Sequence, residues 1–514
     1  MKSGRKCVTP HTTTILHYRW NYLKVRMSST DTTPLLSQRN DDARPLTVLD
    51  DEDFLPAPRR PYVSSIKYLL FINSGCLIVF SGIHTLLFPY LYHYLSLNYS
   101  MAVLLSNLYF SCSFTLAIFS TTMGESKTGK FAVIGTGLFV GMVAFCGLIV
   151  SRFLYLNFLS SYTAVTVVSI VAIILVSVSN GIIKGSITSF LADQSFTDSH
   201  QAGDHLIYRR KPLFRPVHFA ILTSLSPAFG SAFSSLLLGQ YDVGSGKKPM
   251  QQDGPWMIFS SLGTGIMLCL LFFLLPWKRY KRVEPCYNGK HLLNAREMFS
   301  LCSPFLFLPL FWCIYFQMYS AWVGQASLMV RANVWGTWHF LIPESLISAY
   351  TPFMNLFIFP YFSWIVMPIL KRYVGFKGFI AMGISCAVCS VISQGIIELL
   401  ISRGLKIDFW MITPQVICIS SAEYLLSYVV FRKVTLDVVR KANHLKIPLI
   451  VGWYSSIAIG NVLCGIASTI ETPSHWIISF GLAAMMTGFL IYHLLTFKMP
   501  FLPLIDDDEE DLER

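Results

Sequence analysis

Two oppositely charged residues stand inside long apolar runs of this sequence: Lys184 in Asn180-Gly-Ile-Ile-Lys184 and Glu423 in Ser420-Ser-Ala-Glu423-Tyr424. A charge near the bilayer centre costs about 2.5–3.5 kcal/mol on insertion scales, so intramembrane ionisable groups are the first candidates for function. One is a cation and the other an anion, in opposite halves of the chain, and together they could meet the two ends of a zwitterion. Each also has a structural reading, in which Lys184 snorkels to the cytosolic surface and Glu423 pairs with a helix neighbour. His84 is the third candidate, eleven residues after Asn73 and seven after Leu77, which puts all three on nearly one helical face. An imidazole there either senses lumenal acid or hydrogen-bonds inside a bundle. No H-E-x-x-H, G-x-S-x-G or phosphate-binding loop is present, so no catalytic residue and no metal are expected, and the chain does not read as an enzyme.

The elements that must carry these groups follow from composition. The chain has 514 residues, 53% hydrophobic and only 13% charged, against about 25% charged in ordinary soluble domains. Its apolar runs near twenty residues match the length a helix needs to cross roughly 30 Å of hydrocarbon. The expected spans are 67–92, 101–121, 131–151, 164–186, 216–239, 256–276, 302–325, 345–370, 376–400, 409–431, 446–469 and 475–497. Lipid is therefore the solvent and the bilayer the first partner. The net charge of +12 does not imply nucleic acid, because the basic residues cluster between spans, as at Lys278, Arg279, Lys281 and Arg282. Lys127, Lys130, Arg209, Arg210, Lys211, Lys371, Arg372, Arg432, Lys433, Arg440 and Lys441 occupy the loops after spans 2, 4, 8 and 10, which places those loops and both termini in the cytosol.

The expected organisation is a polar cytosolic tail over 1–65, a six-helix bundle over 66–276, a cytosolic linker over 277–300, a second six-helix bundle over 301–498 and an acidic tail over 499–514. A substrate site between two such bundles falls at the bilayer midplane. The first 26 residues hold six Lys or Arg and no acid, and Met27 is an alternative start. Cysteines fall mostly within spans, so the Cys386–Cys389 pair reads as helix packing. Pro343, Pro352, Pro360 and Pro368 punctuate span 8 and suggest kinks useful for gating, Pro360 at their centre. Asn98-Tyr-Ser100 is a glycosylation sequon in a loop placed on the lumenal side. Asp31-Thr-Thr-Pro-Leu35-Leu36 fits an acidic dileucine signal, which would engage adaptor proteins and address the chain to lysosome or endosome; without it the plasma membrane is expected.

Several segments resemble the proton-coupled oligopeptide transporter family of the major facilitator superfamily. Phe311-Trp-Cys-Ile-Tyr-Phe316-Gln317-Met-Tyr-Ser320-Ala-Trp322-Val-Gly-Gln325-Ala326 is similar to the family's F-W-x-x-x-D-Q-Q-x-S-x-W-x-x-Q-A. Asn180-Gly-Ile-Ile-Lys184 through Phe190-Leu-Ala-Asp193-Gln194-Ser-Phe196 resembles G-G-I-K-P-x-x-x-x-F-G-A-D-Q-F, with Gly185 in place of the proline. Leu341-Ile-Pro343, Pro414-Gln415 with Glu423, Gly452-Trp453 with Gly460-Asn461, and the loop Glu125-Ser-Lys-Thr-Gly129-Lys130 extend the likeness over about residues 67 to 497.

The resemblance implies an all-α membrane protein of the major facilitator fold, with 12 transmembrane helices in two six-helix bundles. It implies a transporter of small peptides, amino acids such as histidine, or related zwitterions by alternating access. Lys184 would hold a substrate carboxylate and Glu423 an amine, with Gln317, Ser320 and Trp322 as further substrate contacts. No cofactor is implied, and a proton is the coupling ion the family brings. The departures fall on coupling: the family's E-x-x-E-R in span 1 reads Asn73, Cys76 and Leu77, His84 stands where many members have a gate arginine, and Phe316 where they have its aspartate. Altered or absent proton coupling is the expectation, and a transport-inactive membrane scaffold or sensor is the alternative.

Overall fold

The computed structural model describes residues 62–126, 128–157, 162–194, 201–202, 205–206, 216–242, 254–280, 307–335, 338–370, 373–431, 446–470 and 475–496. All lie in the unit Arg60–Arg514. The dileucine residues Asp31, Leu35 and Leu36, both tails, and most of the basic loop residues lie outside the described residues.

The described chain is helical apart from two hairpins. Its helices are α1 (Tyr62–Pro89), α2 (Tyr99–Gly124), α3 (Lys130–Asn157), α4 (Tyr162–Gln194), α5 (Pro216–Asp242), α6 (Gly254–Leu274), α7 (Leu308–Tyr315), α8 (Ala321–Ser327), α9 (Leu346–Tyr361), α10 (Met367–Leu370), α11 (Phe376–Ser402), α12 (Thr413–Glu423), α13 (Lys446–Thr469) and α14 (His475–Thr496). Among the described residues nine helical stretches are long and apolar enough to cross a membrane. Expected span 5 corresponds to α5, and spans 7 and 10 to broken helices. The hairpins pair Gln201–Ala202 with His205–Leu206 and Ala332–Trp335 with Trp338–Leu341, both antiparallel, in segments the sequence marks only as loops. Large apolar side chains such as Phe119, Phe153, Trp364 and Leu275 remain exposed, as expected of a surface that faces lipid.

The interruptions have local causes. Span 7 unwinds after α7 into a 3-10 turn, Phe316–Tyr319, and Ser320 breaks the helix with φ −141° and ψ −84°. Pro360 lies inside α9, where it removes a backbone donor and crowds the preceding turn; a π turn, Phe362–Val366, follows before α10. Beyond Glu423, α12 widens into a π turn, Tyr424–Phe431. Broken helices leave backbone groups to be satisfied elsewhere, which a membrane protein tolerates where the break is buried in protein.

The helices from α1 to α6 pack mainly on one another, and those from α7 to α14 do the same. The groups are joined mainly by α2 with α13 and α5 with α9, and more lightly by α1 with the unwound turn of span 7 and with α9. The groups are sealed at the end carrying the α1–α2 loop. Ser235 and Ser345 share a hydrogen bond of 2.8 Å, His93 Nε2 lies 2.6 Å from Glu344 Oε1, and Gly239 has no room for a Cβ against Pro343. The opposite loop, Glu125 to Lys130, is held by an ion pair of 2.8 Å between those two residues. Gly129 turns it at φ +77°, a conformation that favours glycine.

Candidate substrate site

Lys184 is positioned by two glycines. A Cβ at Gly181 would strike the carbonyl of Ser113, and one at Gly185 that of Ala117, so α4 lies directly against the α2 backbone. Thr121 Oγ1 donates to the Gly185 carbonyl at 3.0 Å, and the Ser120 and Ser186 hydroxyls meet at 2.8 Å. This close approach puts Lys184 Nζ 4.0 Å from the centroid of the Phe114 ring on α2. Such a cation–π contact is worth roughly 0.5–2 kcal/mol depending on desolvation. Across from it, Tyr454 of α13 donates its hydroxyl to the Lys184 carbonyl at 3.4 Å. Among the described residues no carboxylate lies within ion-pair distance of Lys184.

Glu423 ends α12 at the start of its π turn. Asn355 of α9 donates Nδ2 to Glu423 Oε2 at 2.9 Å, and the phenols of Tyr315 and Tyr319 lie within its electrostatic reach. The carboxylate is thus oriented by neighbouring helices and has no basic partner among the described residues. Lys184 and Glu423 stand in different helix groups and do not pair with each other.

Aromatic rings fill the space between the two charges. Phe316 packs 4.8 Å from Phe110, 5.8 Å from Phe114 and 6.0 Å from Trp312. Phe110 also receives the His84 ring at 4.5 Å, and Tyr109 and Tyr319 meet that imidazole at 5.4 and 5.7 Å. His84 is buried, and its Nε2 lies 3.3 Å from Asn180 Nδ2. Where the family resemblance places an arginine and an aspartate, this chain joins its two helix groups through apolar ring contacts. Asn73 is half-buried about three turns before His84 on α1.

The other expected contacts separate. Gln317 lines a small cavity with Glu398 and is 5% exposed. Ser320 accepts from Asn107 Nδ2 of α2 at 3.3 Å. Trp322 is fully buried and its Nε1 has no hydrogen-bond partner among the described residues. Asn98 is exposed and caps α2, its Oδ1 accepting from the Met101 amide at 2.9 Å. Cys386 and Cys389 are free thiols, the second exposed. Sequence reasoning missed Asn355, Phe114 and Glu398. Only the last carried a signal, an ionisable residue inside span 9, to which the cost argument used for Lys184 applies equally.

Among the described residues the chain is a polytopic helical protein with a lysine and a glutamate half-buried in different helix groups. Residues 290–477 match the family model described as POT family. The chain is similar to peptide transporter family 1 of Drosophila melanogaster, 24% identical over 353 residues, which cover 63% of this chain and 46% of that protein. It is also similar to peptide transporter 3 of Caenorhabditis elegans, 22% identical over 363 residues, 63% of this chain and 48% of that one. The chain spans about half the length of these curated relatives. The crystal structure of an auto-inhibited POT family peptide transporter superposes with a TM-score of 0.68 at 16% identity, covering 86% of this chain and 99% of the other. The shared fold is the major facilitator fold that the motifs implied. Over residues 290–477 the chain is similar to the POT family, and its fold is shared with POT family structures.

Proposed function

We propose that this protein carries small zwitterions, of the size of di- and tripeptides or amino acids such as histidine, across an internal membrane by alternating access. The observation that supports this most is the pair of unmatched charges. Among the described residues Lys184 has a ring but no carboxylate beside it, and Glu423 has an amide and phenols but no cation. A molecule with a carboxylate at one end and an ammonium at the other supplies both counter-ions at once, each contact worth roughly 1.5–3 kcal/mol in a partly dehydrated site. The curated relatives are named as peptide transporters, which supports the same substrate class. The reading involves carriage without covalent chemistry.

Proton coupling differs from the pattern the resemblance implies. Asn73, Cys76 and Leu77 offer no carboxylate on α1, and His84 and Phe316 are linked through the Phe110 ring and not by an ion pair. His84, whose ordinary pKa is about 6.5, is the group on α1 through which lumenal acid would act. The dileucine segment supports a lysosomal or endosomal address through adaptor proteins.

The test is reconstitution of the full chain into liposomes with labelled dipeptides and histidine at several pH gradients. Saturable uptake that survives collapse of the gradient fits carriage with altered coupling. No saturable uptake and no binding of any zwitterion would leave the scaffold reading in its place.

A further inference from the structure

A second polar site lies away from Lys184 and Glu423, where α2, the broken span 7, α11, α13 and α14 meet. It is a cavity of about 40 Å³, which by volume admits water-sized occupants and no peptide. Glu398 of α11 faces it, held on two sides: Gln394 Nε2 donates to its Oε1 at 3.1 Å and Ser479 Oγ to its Oε2 at 2.9 Å. Among the described residues no lysine or arginine lies within ion-pair distance of this carboxylate.

Two further acceptors point to what is wanted there. Gln317 and Gln394 both line the cavity, are 5% and 2% exposed, and leave their Oε1 atoms without a hydrogen-bond partner among the described residues. A buried unmet acceptor costs about 1–3 kcal/mol, and two of them beside an anion form a set that a cation would satisfy. The donors are all oxygen, the kind that suits hard ions. No group of three or more histidine, cysteine or acidic side chains surrounds the site among the described residues, as a transition metal would require. The other titratable groups on the lining are Tyr99 from α2, Cys464 from α13 and His475 from α14; the span 7 residues there carry none.

We propose that this cavity binds one sodium ion, with Glu398 as its anionic ligand and the Gln317 and Gln394 amide oxygens beside it. Gln317 belongs to the unwound turn of span 7, so an ion bound here restrains the same break that carries Phe316 and Tyr319. Binding does not depend on the chain transporting anything, and its test uses no substrate.

The experiment is thermal unfolding of the purified full chain in lipid nanodiscs. Sodium chloride is titrated against choline chloride at constant ionic strength and pH 7.5, and separately the pH is lowered in choline alone. A ligand bound only by the folded state raises Tm in a saturable way. A saturable rise with sodium supports the proposal; a rise with acid alone reads as protonation of the Glu398 carboxyl itself and overturns it. With sodium, Glu398→Gln must abolish the rise or move its midpoint at least about tenfold, and Gln317→Leu must weaken it by about fivefold or more. If Glu398→Gln does not fold, Gln317→Leu decides. The absence of a saturable rise with sodium in the parent protein overturns the proposal, as does a midpoint unchanged in the variants.

Discussion

His84 and Phe316 pack on the same ring: Phe110 lies 4.5 Å from the first and 4.8 Å from the second. One residue comes from α1 and the other from the unwound part of span 7, so the Phe110 ring links the two helix groups between them. Phe316→Asp should therefore be strongly destabilising. It removes a buried ring, a loss of about 3–5 kcal/mol, and leaves a carboxylate among Phe110, Phe114 and Trp312. Adding His84→Arg should recover at least about 1 kcal/mol, because the two new charges then face each other. Thermal or denaturant unfolding of the single and double variants checks this; strict additivity would show that the two positions are not coupled.

Asn355 orients Glu423 from a different helix, at 2.9 Å. Replacing it with leucine takes away a hydrogen bond to a charged group, worth about 1.5–3 kcal/mol. Affinity for a dipeptide with a free amine should fall about tenfold, and affinity for its acylated analogue should change little. Equilibrium binding of the two ligands to Asn355→Leu measures the difference.

Asn98 has two tasks on different atoms. Its Oδ1 caps α2, whereas a glycan would attach through Nδ2. Asn98→Asp should lose any glycan and keep the cap; Asn98→Ala should lose both, costing about 1 kcal/mol. Mobility after glycosidase treatment and the melting temperatures of the two variants separate the effects, and modification of residue 98 by a cytosol-restricted label would contradict the lumenal placement of this loop.

Leu35→Ala with Leu36→Ala should send the protein to the cell surface if Asp31, Leu35 and Leu36 act as an acidic dileucine signal. Surface biotinylation of the double variant reads this, and an unchanged internal pool removes the segment from the account.

The helices are legible because lipid leaves one pattern per span, a run of apolar residues near twenty long; nine described helical stretches have that length and composition, though the helix expected over 164–186 runs on to Gln194 and the start expected at 302 lies outside the described residues. The breaks were less so. Pro360 announces the π turn after α9, but the unwinding at Phe316–Tyr319 and the widening after Glu423 have no proline. Lys184 and Glu423 stood out by cost, since charge inside an apolar run is rare. Their partners did not: Phe114 and Asn355 lie 70 and 68 positions away and became neighbours only through packing. Gln317 shows the other limit. A motif places it beside substrate contacts, whereas side-chain geometry turns it toward Glu398, a residue outside that motif.

The claim that Lys184 and Glu423 grip opposite ends of one zwitterion is tested most directly by binding to the full chain in nanodiscs. The ligands are a free dipeptide, its N-acylated form and its C-terminal amide, each measured on the parent, Lys184→Gln and Glu423→Gln. Each variant should bind the free dipeptide at least about tenfold more weakly. Lys184→Gln should lose the preference for free acid over amide, and Glu423→Gln the preference for free amine over acylated peptide. Binding of the free dipeptide that is measurable in the parent and unchanged in either variant would contradict the account.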